Sequence, residues 1–194
     1  MTDISLVLAS GSPYRRELLA RLAVAFETWS PEIDERALAQ ESPRDTAVRL
    51  AHVKAAAALA RWPGAIVIGS DQVAEVDGAP IGKPGTLDNA RRQLRQLSGR
   101  AVAFHTALCV LNGASGKRHD RLVTTDVEFR ALSDTDIERY LAREPALDCA
   151  GSAKSEGLGI ALLSRLSGDD PTALVGLPLI ALAGILRAEG IEIP

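Results

Sequence analysis

The sequence predicts a mixed α/β fold, because strand-like and helix-like segments alternate along its 194 residues. Residues 65–70 form a β-branched apolar run that is typical of a buried strand. Ser42 and Pro43 precede a long Ala-rich segment, which is typical of a capped helix. The apolar fraction of 46% and the charged fraction of 24% are those of a globular protein. The length favours one domain, over residues 1–194.

The first half of the chain is predicted to start its helices at serine caps. Ser12 and Pro13 open the first helix, and Ser42 with Asp45 opens the second. Asp77-Gly78 indicates the turn of a hairpin. In order, the predicted elements are strand 6–9, helix 13–22, strand 25–29, helix 43–61, strand 65–70 and hairpin arm 73–76.

The second half continues the alternation. Thr86 caps a helix that ends near Ser98-Gly99, since glycine suits a left-handed C-terminal position. Ser133 and Asp136 start another helix. The helix that starts at Ser133 reaches about residue 143. Between the two helices lie long strands at 101–111 and 121–129. After them come short strands around 160–166, a turn at 168–171 and a helix over 178–187.

Composition excludes several classes of protein. The net charge of −3 argues against a generic nucleic-acid binder, and the arginines at 91, 92 and 95 fit a solvated helix face. Cys109 and Cys149 lack the spacing of a disulfide framework or a zinc site, which indicates a reducing compartment. No signal peptide is apparent, and the longest apolar tract, 173–186, is too short for a membrane span. We therefore expect a cytoplasmic protein with neither nucleic-acid nor membrane partners.

The start of the chain combines a strand end, small residues and two arginines. Free N–H groups at the helix start beside the guanidinium groups of Arg15 and Arg16 favour a bound phosphate. An ordinary strand–turn–helix with solvated arginines fits the same residues. A polyanionic ligand is the first hypothesis, and this motif alone leaves both interpretations open.

Three further charged residues could contact such a ligand. Lys54 shares a predicted helix face with apolar residues. Its ammonium group therefore either extends to the solvent-exposed edge of that face or meets an anion in a cleft. Asp71 follows a predicted buried strand, where a carboxylate can bind a metal or accept a proton, although a turn-initiating Asp is also common there. Lys83 lies in a Gly-Lys-Pro loop. Singly, each also has an ordinary structural explanation.

Residues 31–35 contain three carboxylates, Glu32, Asp34 and Glu35. Such a run is either a solvated loop or a ligand set for Mg²⁺ or Mn²⁺, which prefer oxygen donors. The histidines at 52, 105 and 119 share no ligand spacing and are expected to be structural or solvated.

Taken together, these segments resemble the Maf family of nucleoside triphosphate pyrophosphatases nearly end to end. The motifs that carry the resemblance are LASGSPYRR at 8–16, PEIDE at 31–35, Lys54, IGSDQV at 68–73, GKP at 82–84 and VGLP at 175–178. The resemblance implies a Maf/inosine-triphosphatase-like α/β fold, with a mixed elongated sheet flanked by helices, two lobes, a central cleft and often a homodimer. It also implies divalent-metal-dependent hydrolysis between the α- and β-phosphates of a nucleoside triphosphate.

The family motifs also imply roles for particular residues. Asp71 falls at the family's proton-acceptor position. Glu35 matches an acidic position near the metal, and the resemblance implies that Asp71 binds the same metal. The phosphate-contacting positions are Ser10, Arg15, Lys54 and Lys83, with Arg16 as a weaker candidate.

Base selectivity is indicated by two segments. Asp71-Gln72 and CAGSAKSEG at 149–157 resemble the branch that acts on 7-methyl-GTP, with Tyr14, Gln72 and Glu156 at the specificity positions. An aromatic ring can stack on the cationic methylated base, and a carboxylate can accept hydrogen bonds from its N–H groups. Removal of modified nucleotides from the pool would be the cellular role. The alternatives are a pyrophosphatase for dTTP, UTP or modified pyrimidines and a non-catalytic nucleotide-binding regulator of septum formation.

Overall fold

The computed structural model describes residues 5–193, which contain five α-helices and seven β-strands. The first elements are β1 (Leu6–Leu8), α1 (Pro13–Ala20), β2 (Glu27–Thr28), α2 (Pro43–Arg61), β3 (Ile66–Val76), β4 (Ala79–Ile81) and α3 (Leu87–Leu97). They are followed by β5 (Ala101–Asn112), β6 (Arg118–Phe129), α4 (Asp134–Leu141), β7 (Leu163–Ser167) and α5 (Leu179–Ala188), with short 3-10 helices at Ala150–Ser152 and Leu158–Leu162. The predicted mixed α/β class is confirmed.

The described strands form one sheet in the order β2-β1-β3-β5-β6-β7, and β4 pairs with β3. β1 is parallel to β2 and β3, whereas β4 is antiparallel to β3 and β7 is antiparallel to β6. The register aligns Leu8 with Ile68. The segments that follow these two residues therefore begin side by side, which brings Ser10 and Ser70 into one region of the fold.

The chain divides into two compact units. Unit 1 comprises the residues up to Gln72, Thr106–Val123 and the residues from Asp170 onward, and unit 2 comprises Val73–His105 and Thr124–Asp169. The prediction of one domain over 1–194 stays a prediction, and residues 1–4 and 194 lie outside the described part. Within residues 5–193, no helix combines the length and the apolar character that a membrane span requires.

Several predicted boundaries were wrong, and one of them concerns the site. β3 is a single strand of 11 residues, so Asp71 lies inside it rather than after its end. The predicted break at 71–72 is absent because Gln72 is half-buried and hydrogen-bonded, and the strand continues to its pairing with β4. Residues 160–162 belong to a 3-10 helix instead of a strand, and β2 is only two residues long.

All four predicted helix caps are confirmed. Ser12, Ser42 and Thr86 each accept a hydrogen bond from the backbone N–H three residues later. Ser133 and Asp136 form a complete capping box at the start of α4. These bonds satisfy N–H groups that the helix itself leaves unpaired, which is why the local sequence predicted the starts correctly.

Unit 1 has a core of leucine, isoleucine and valine side chains from β1, β3, β5, α1 and α5. Asp170 and Thr172 hold the start of α5. The sequence analysis assigned Asp170 only to a turn and gave no role to Thr172. Asp170 accepts a hydrogen bond from Ile180 N–H at 2.7 Å, and the Thr172 hydroxyl accepts one from Leu179 N–H at 2.8 Å. Asp170 and Thr172 therefore fix the two ends of the segment 173–178.

Unit 2 packs α3 against α4. Its buried side chains include Leu94, Leu97, Phe104, Phe129 and Ile137. Arg91 pairs with Glu138 at 2.6 Å and Arg95 with Asp134 at 2.7 Å, so these arginines link the two helices on their exposed side.

Gly69 allows α2 to pack directly on β3. A Cβ at this position would overlap the Ala51 carbonyl oxygen and lie 2.7 Å from Ala55 N, and backbone atoms of a helix cannot move aside as a side chain can. We expect Gly69→Ala to lower the free energy of unfolding by about 3 kcal/mol, at the upper end for overpacking. Urea denaturation measures the change. Gly64→Ala is the control, since its Cβ meets nothing within 4 Å; equal losses in both variants would contradict the expectation.

Candidate active site

Three of the predicted site residues meet in unit 1. Lys54 Nζ lies 2.5 Å from Asp71 Oδ1 and 2.7 Å from Glu35 Oε1. We call Glu35, Lys54 and Asp71 the Lys54 cluster. The side chains of Lys54 and Asp71 are only 9% and 10% exposed, whereas that of Glu35 is 62% exposed. Because two of its members are buried, solvent and salt screen the cluster weakly.

Local structure explains how Lys54 reaches Asp71. Side chains two residues apart on a strand lie on the same face, so Asp71 is on the face of β3 on which Gly69 meets α2. The close approach at Gly69 brings the helix near enough for the lysine to contact the carboxylate. In the structure the Lys54 ammonium group pairs with two carboxylates of the protein itself, and its contact with an anionic ligand stays a prediction.

Arg15 adds a second, partly buried cation to unit 1. Its Nε donates a hydrogen bond to the Gly176 carbonyl at 2.8 Å, and its Nη1 lies 3.5 Å from the hydroxyl oxygen of Ser10. Burial lowers the pKa of Arg15, while the negative charges of Asp71 and Glu35 raise it. A guanidinium group stays protonated under such shifts. Arg15 is therefore a fixed positive charge within electrostatic reach of the Lys54 cluster.

Ser10 is buried at the start of this region. Its hydroxyl oxygen accepts a hydrogen bond from Ser12 N–H at 3.1 Å, in the turn between β1 and α1. Tyr14 is half-buried in the first turn of α1, and Arg16, in the same turn, is exposed. The structure thus gathers Ser10, Arg15, Glu35, Lys54 and Asp71 in unit 1.

Lys83 and Glu156 belong to unit 2. Lys83 is exposed in the segment after β4, and Glu156 is exposed in the segment that joins the two 3-10 helices. Ser155 Oγ lies 3.4 Å from a carboxylate oxygen of Glu156. The phosphate role of Lys83 and the base-recognition role of Glu156 stay predictions.

Gln72 is bound within the protein. Its amide nitrogen lies 2.9 Å from the Thr106 hydroxyl oxygen and 3.0 Å from the carbonyl oxygens of both Ala173 and Leu174. An amide group carries two N–H donors, and these acceptors use both of them. Gln72 therefore ties β3 to the segment 173–174. Its role in base selectivity stays a prediction.

The sequence analysis missed the role of three residues that organise this region. Ser70 Oγ lies 2.8 Å from the Ala107 carbonyl and 3.0 Å from the Gly176 carbonyl, to which Arg15 also donates. Thr106 donates to the Ala173 carbonyl at 2.8 Å. Gly176 has a φ of +121°, which L side chains rarely adopt. The VGLP motif was the available signal, but it gave no indication that the Gly176 carbonyl orients Arg15.

The Gln72 contacts lead to a stability prediction. Gln72→Glu would place carboxylate oxygens where an amide now donates to two backbone carbonyls, so attraction is replaced by repulsion. We expect the free energy of unfolding to fall by about 2 kcal/mol, in the range for a buried polar group that loses its partners. Thermal and urea denaturation measure the change. Gln96→Glu, on an exposed position of α3, is the matched control, and similar losses in both variants would refute the anchoring role.

The donor chemistry of the Lys54 cluster fits a divalent cation. Asp71 and Glu35 each place a carboxylate oxygen within 2.7 Å of the same Lys54 nitrogen, so the two groups converge on one small region. Mg²⁺ in nucleotide enzymes is commonly held by one or two carboxylates together with substrate phosphates. Within residues 5–193, no group of three or more His, Cys, Asp or Glu side chains has the arrangement of a metal site. Neither Cys109 nor Cys149 forms a disulfide bond.

Comparison with known proteins identifies the family. A family profile described as "Maf-like protein" matches residues 5–189. The chain belongs to the Maf family. The suspected resemblance is therefore confirmed, and the Maf profile includes every residue of the predicted site.

Curated Maf relatives match over nearly the full length. A protein of Aromatoleum aromaticum named "7-methyl-GTP pyrophosphatase" is 58% identical over 189 residues, which cover 97% of each chain. A Cupriavidus pinatubonensis protein of the same name is 57% identical over 95% of this chain and 93% of its own. A solved HAM1 protein structure from Coxiella burnetii matches 96% of this chain with a TM-score of 0.56 at 17% identity. This last likeness concerns the fold alone.

Proposed function

We propose that this Maf protein hydrolyses 7-methyl-GTP to 7-methyl-GMP and diphosphate and so removes a modified nucleotide from the cytoplasmic pool. The observation that carries the proposal is the buried contact of Lys54 with Asp71, together with the contact of Lys54 with Glu35 and the partly buried Arg15 in the same unit. Relatives of 57–58% identity carry the corresponding name. We further propose that residues 1–194 act as one catalytic domain.

In this proposal the cations of unit 1 bind the triphosphate. Lys54 and Arg15 neutralise charge on the phosphate oxygens, and Ser10 contributes a hydroxyl near Arg15. Hydrolysis of a phosphoanhydride depends mainly on positioning and on stabilisation of negative charge, which fixed cations provide. Lys83 and Arg16, which the family motifs place at phosphate-contacting positions, bind the remaining phosphate oxygens in this proposal.

Asp71 accepts a proton from the attacking water. The attack forms a bond between the water oxygen and the α-phosphorus and breaks the bond to the bridging oxygen, which leaves with diphosphate. Phosphate oxygens can replace the carboxylates as partners of Lys54, and this exchange leaves Asp71 available to the water. Asp71 and Glu35 would hold the divalent cation, which neutralises triphosphate charge when bound.

For the base, we propose that Tyr14 stacks on the cationic methylated ring and that Glu156 accepts hydrogen bonds from its N–H groups. The Gln72 amide nitrogen holds the segment 173–174 through its hydrogen bonds to two carbonyl groups. We propose that the side-chain oxygen of Gln72 contacts the base.

A substrate panel tests the function. Diphosphate release is measured for 7-methyl-GTP, GTP, UTP, dTTP and modified pyrimidine nucleotides, each with Mg²⁺ and with Mn²⁺. We expect 7-methyl-GTP to give the highest kcat/KM. Preference for a pyrimidine nucleotide would instead assign the other catalytic branch, and no release from any nucleotide would reject the enzyme in favour of a nucleotide-binding regulator. Light scattering of the same preparation tests the predicted homodimer.

Glu156→Gln tests base recognition separately. Replacement of the carboxylate with an amide removes charge-assisted hydrogen bonds to the base, so kcat/KM for 7-methyl-GTP is expected to fall at least about tenfold. The value for UTP should change little, because uracil lacks the amino donor. Glu128→Gln, the same exchange elsewhere in unit 2, is the control. Equal losses on 7-methyl-GTP and UTP would remove Glu156 from base selection.

A further inference from the structure

A pocket lies entirely within unit 2. It has a volume of about 280 Å³ and is bounded by the residues after β6, by α4 and by the 3-10 helix Leu158–Leu162. Its lining includes Arg130, Arg139, Arg143, Tyr140, Leu158 and Leu162. None of the residues assigned to the hydrolysis reaction lines it. Its size is near the lower end of the range for pockets that bind small organic molecules.

The three pocket arginines differ from those on the neighbouring helix. Arg91 and Arg95 of α3 form ion pairs with carboxylates of α4. In the described part of the chain, the side chains of Arg130, Arg139 and Arg143 form neither an ion pair nor a hydrogen bond. Three positive charges therefore border one pocket without the carboxylates that pair the nearby arginines.

One carboxylate, Asp136, also lines the pocket. It accepts hydrogen bonds from Ser133 N–H at 3.0 Å and from the Ser133 hydroxyl at 2.6 Å, as part of the α4 capping box. These bonds, with a smaller effect of the positive charge of Arg139, lower the pKa of Asp136. Asp136 is thus negative and committed to the helix cap, and the lining keeps a net positive charge.

The remaining lining is largely apolar. Leu132, Leu158, Ala161 and Leu162 contribute aliphatic surface, and Leu158 is 38% exposed. Tyr140 is 3% exposed, and its hydroxyl oxygen accepts a hydrogen bond from Lys154 N–H at 3.1 Å. Its ring therefore adds to the apolar surface. A bare inorganic anion would leave this surface without a partner, and a neutral apolar molecule would leave the arginines without one.

We propose that this pocket binds a small organic anion, a phosphate or carboxylate group carried on an aromatic or short aliphatic body. The planar guanidinium groups suit both anions, because each can donate two parallel hydrogen bonds to phosphate or carboxylate oxygens. The leucines and the Tyr140 ring bury the body of the ligand.

The test is fluorine NMR titration of the full chain with three matched probes: 4-fluorophenyl phosphate, 4-fluorobenzoate and neutral 4-fluorobenzyl alcohol. We expect saturable binding of at least one anionic probe and at least tenfold weaker binding of the alcohol. Arg139→Gln and Arg143→Gln should each weaken the anion about tenfold, the effect of one lost charge-assisted hydrogen bond. Arg165→Gln, an exposed arginine of unit 2 outside the pocket, should leave the affinity unchanged.

The phosphate probe could also bind at the Lys54 cluster, so Arg15→Gln is included to separate the two sites. Binding that persists in Arg15→Gln and is weakened by Arg139→Gln or Arg143→Gln belongs to the pocket of unit 2. Binding of the phosphate probe alone identifies a phosphate ester as the ligand class, and binding of benzoate alone identifies a carboxylate. No saturable binding, equal binding of the alcohol, or an affinity that depends on Arg15 but not on Arg139 and Arg143 would overturn the proposal.

Discussion

Asp71→Asn is expected to reduce the rate of diphosphate release from 7-methyl-GTP by about 10³-fold, within the range for loss of a general base. An asparagine oxygen can still accept a hydrogen bond from Lys54, which lies 2.5 Å from the carboxylate, so the fold is expected to persist. The amide cannot take a proton from water, and it is a weaker ligand for a divalent cation. The measurement is kcat at saturating metal, with nucleotide affinity determined separately.

Asp120→Asn provides the matched control. Asp120 also lies in unit 1 and pairs with a cation, Arg118, at 2.6 Å, but its side chain is 43% exposed. This variant should retain nearly full kcat. If Asp71→Asn kept more than about a tenth of the wild-type kcat, the loss would fall short of the range for a general base, and Asp71 would have no place in the proton transfer.

Lys54→Met is expected to lower kcat/KM by about 10² to 10³-fold, the usual effect of removing one group that stabilises transition-state charge. Methionine preserves much of the aliphatic length but removes the ammonium group from between Asp71 and Glu35. The two carboxylates then lack their shared cation, so the melting temperature without metal is expected to fall. Added Mn²⁺ should raise the melting temperature more in this variant than in the wild type, because the cation replaces the lost charge.

Lys117→Met controls for loss of a lysine from an ion pair in unit 1. Lys117 lies 3.6 Å from Glu189, and its side chain is 60% exposed. Activity and Mn²⁺ response should both stay near wild type. A Lys54→Met variant whose melting temperature responds to Mn²⁺ no more than the wild type would argue against a metal position at Asp71 and Glu35.

Helix starts were the part of the fold most accessible to prediction. Ser12, Ser42, Thr86 and Ser133 all cap the helices that they were expected to cap. A cap depends on a side chain and a backbone N–H three residues away, so its determinants are local. The end of β3 was placed wrongly because a strand continues wherever its neighbours pair with it, and those neighbours are distant in sequence.

In the candidate site, too, some features depend on local sequence and others depend on contacts between residues that are distant in sequence. The residue types and spacing of LASGSPYRR, Lys54 and IGSDQV led to the hypothesis of a polyanionic ligand, and only the family resemblance made that ligand a nucleoside triphosphate. The contact of Lys54 with Asp71 depends on the packing of α2 on Gly69, and the orientation of Arg15 depends on a carbonyl 161 residues away. Gln72 likewise acquires its anchoring contacts from a segment about 100 residues later. Composition and short-range pattern determine which charges the protein carries, whereas long-range packing and hydrogen bonding decide which charges meet and which are held apart.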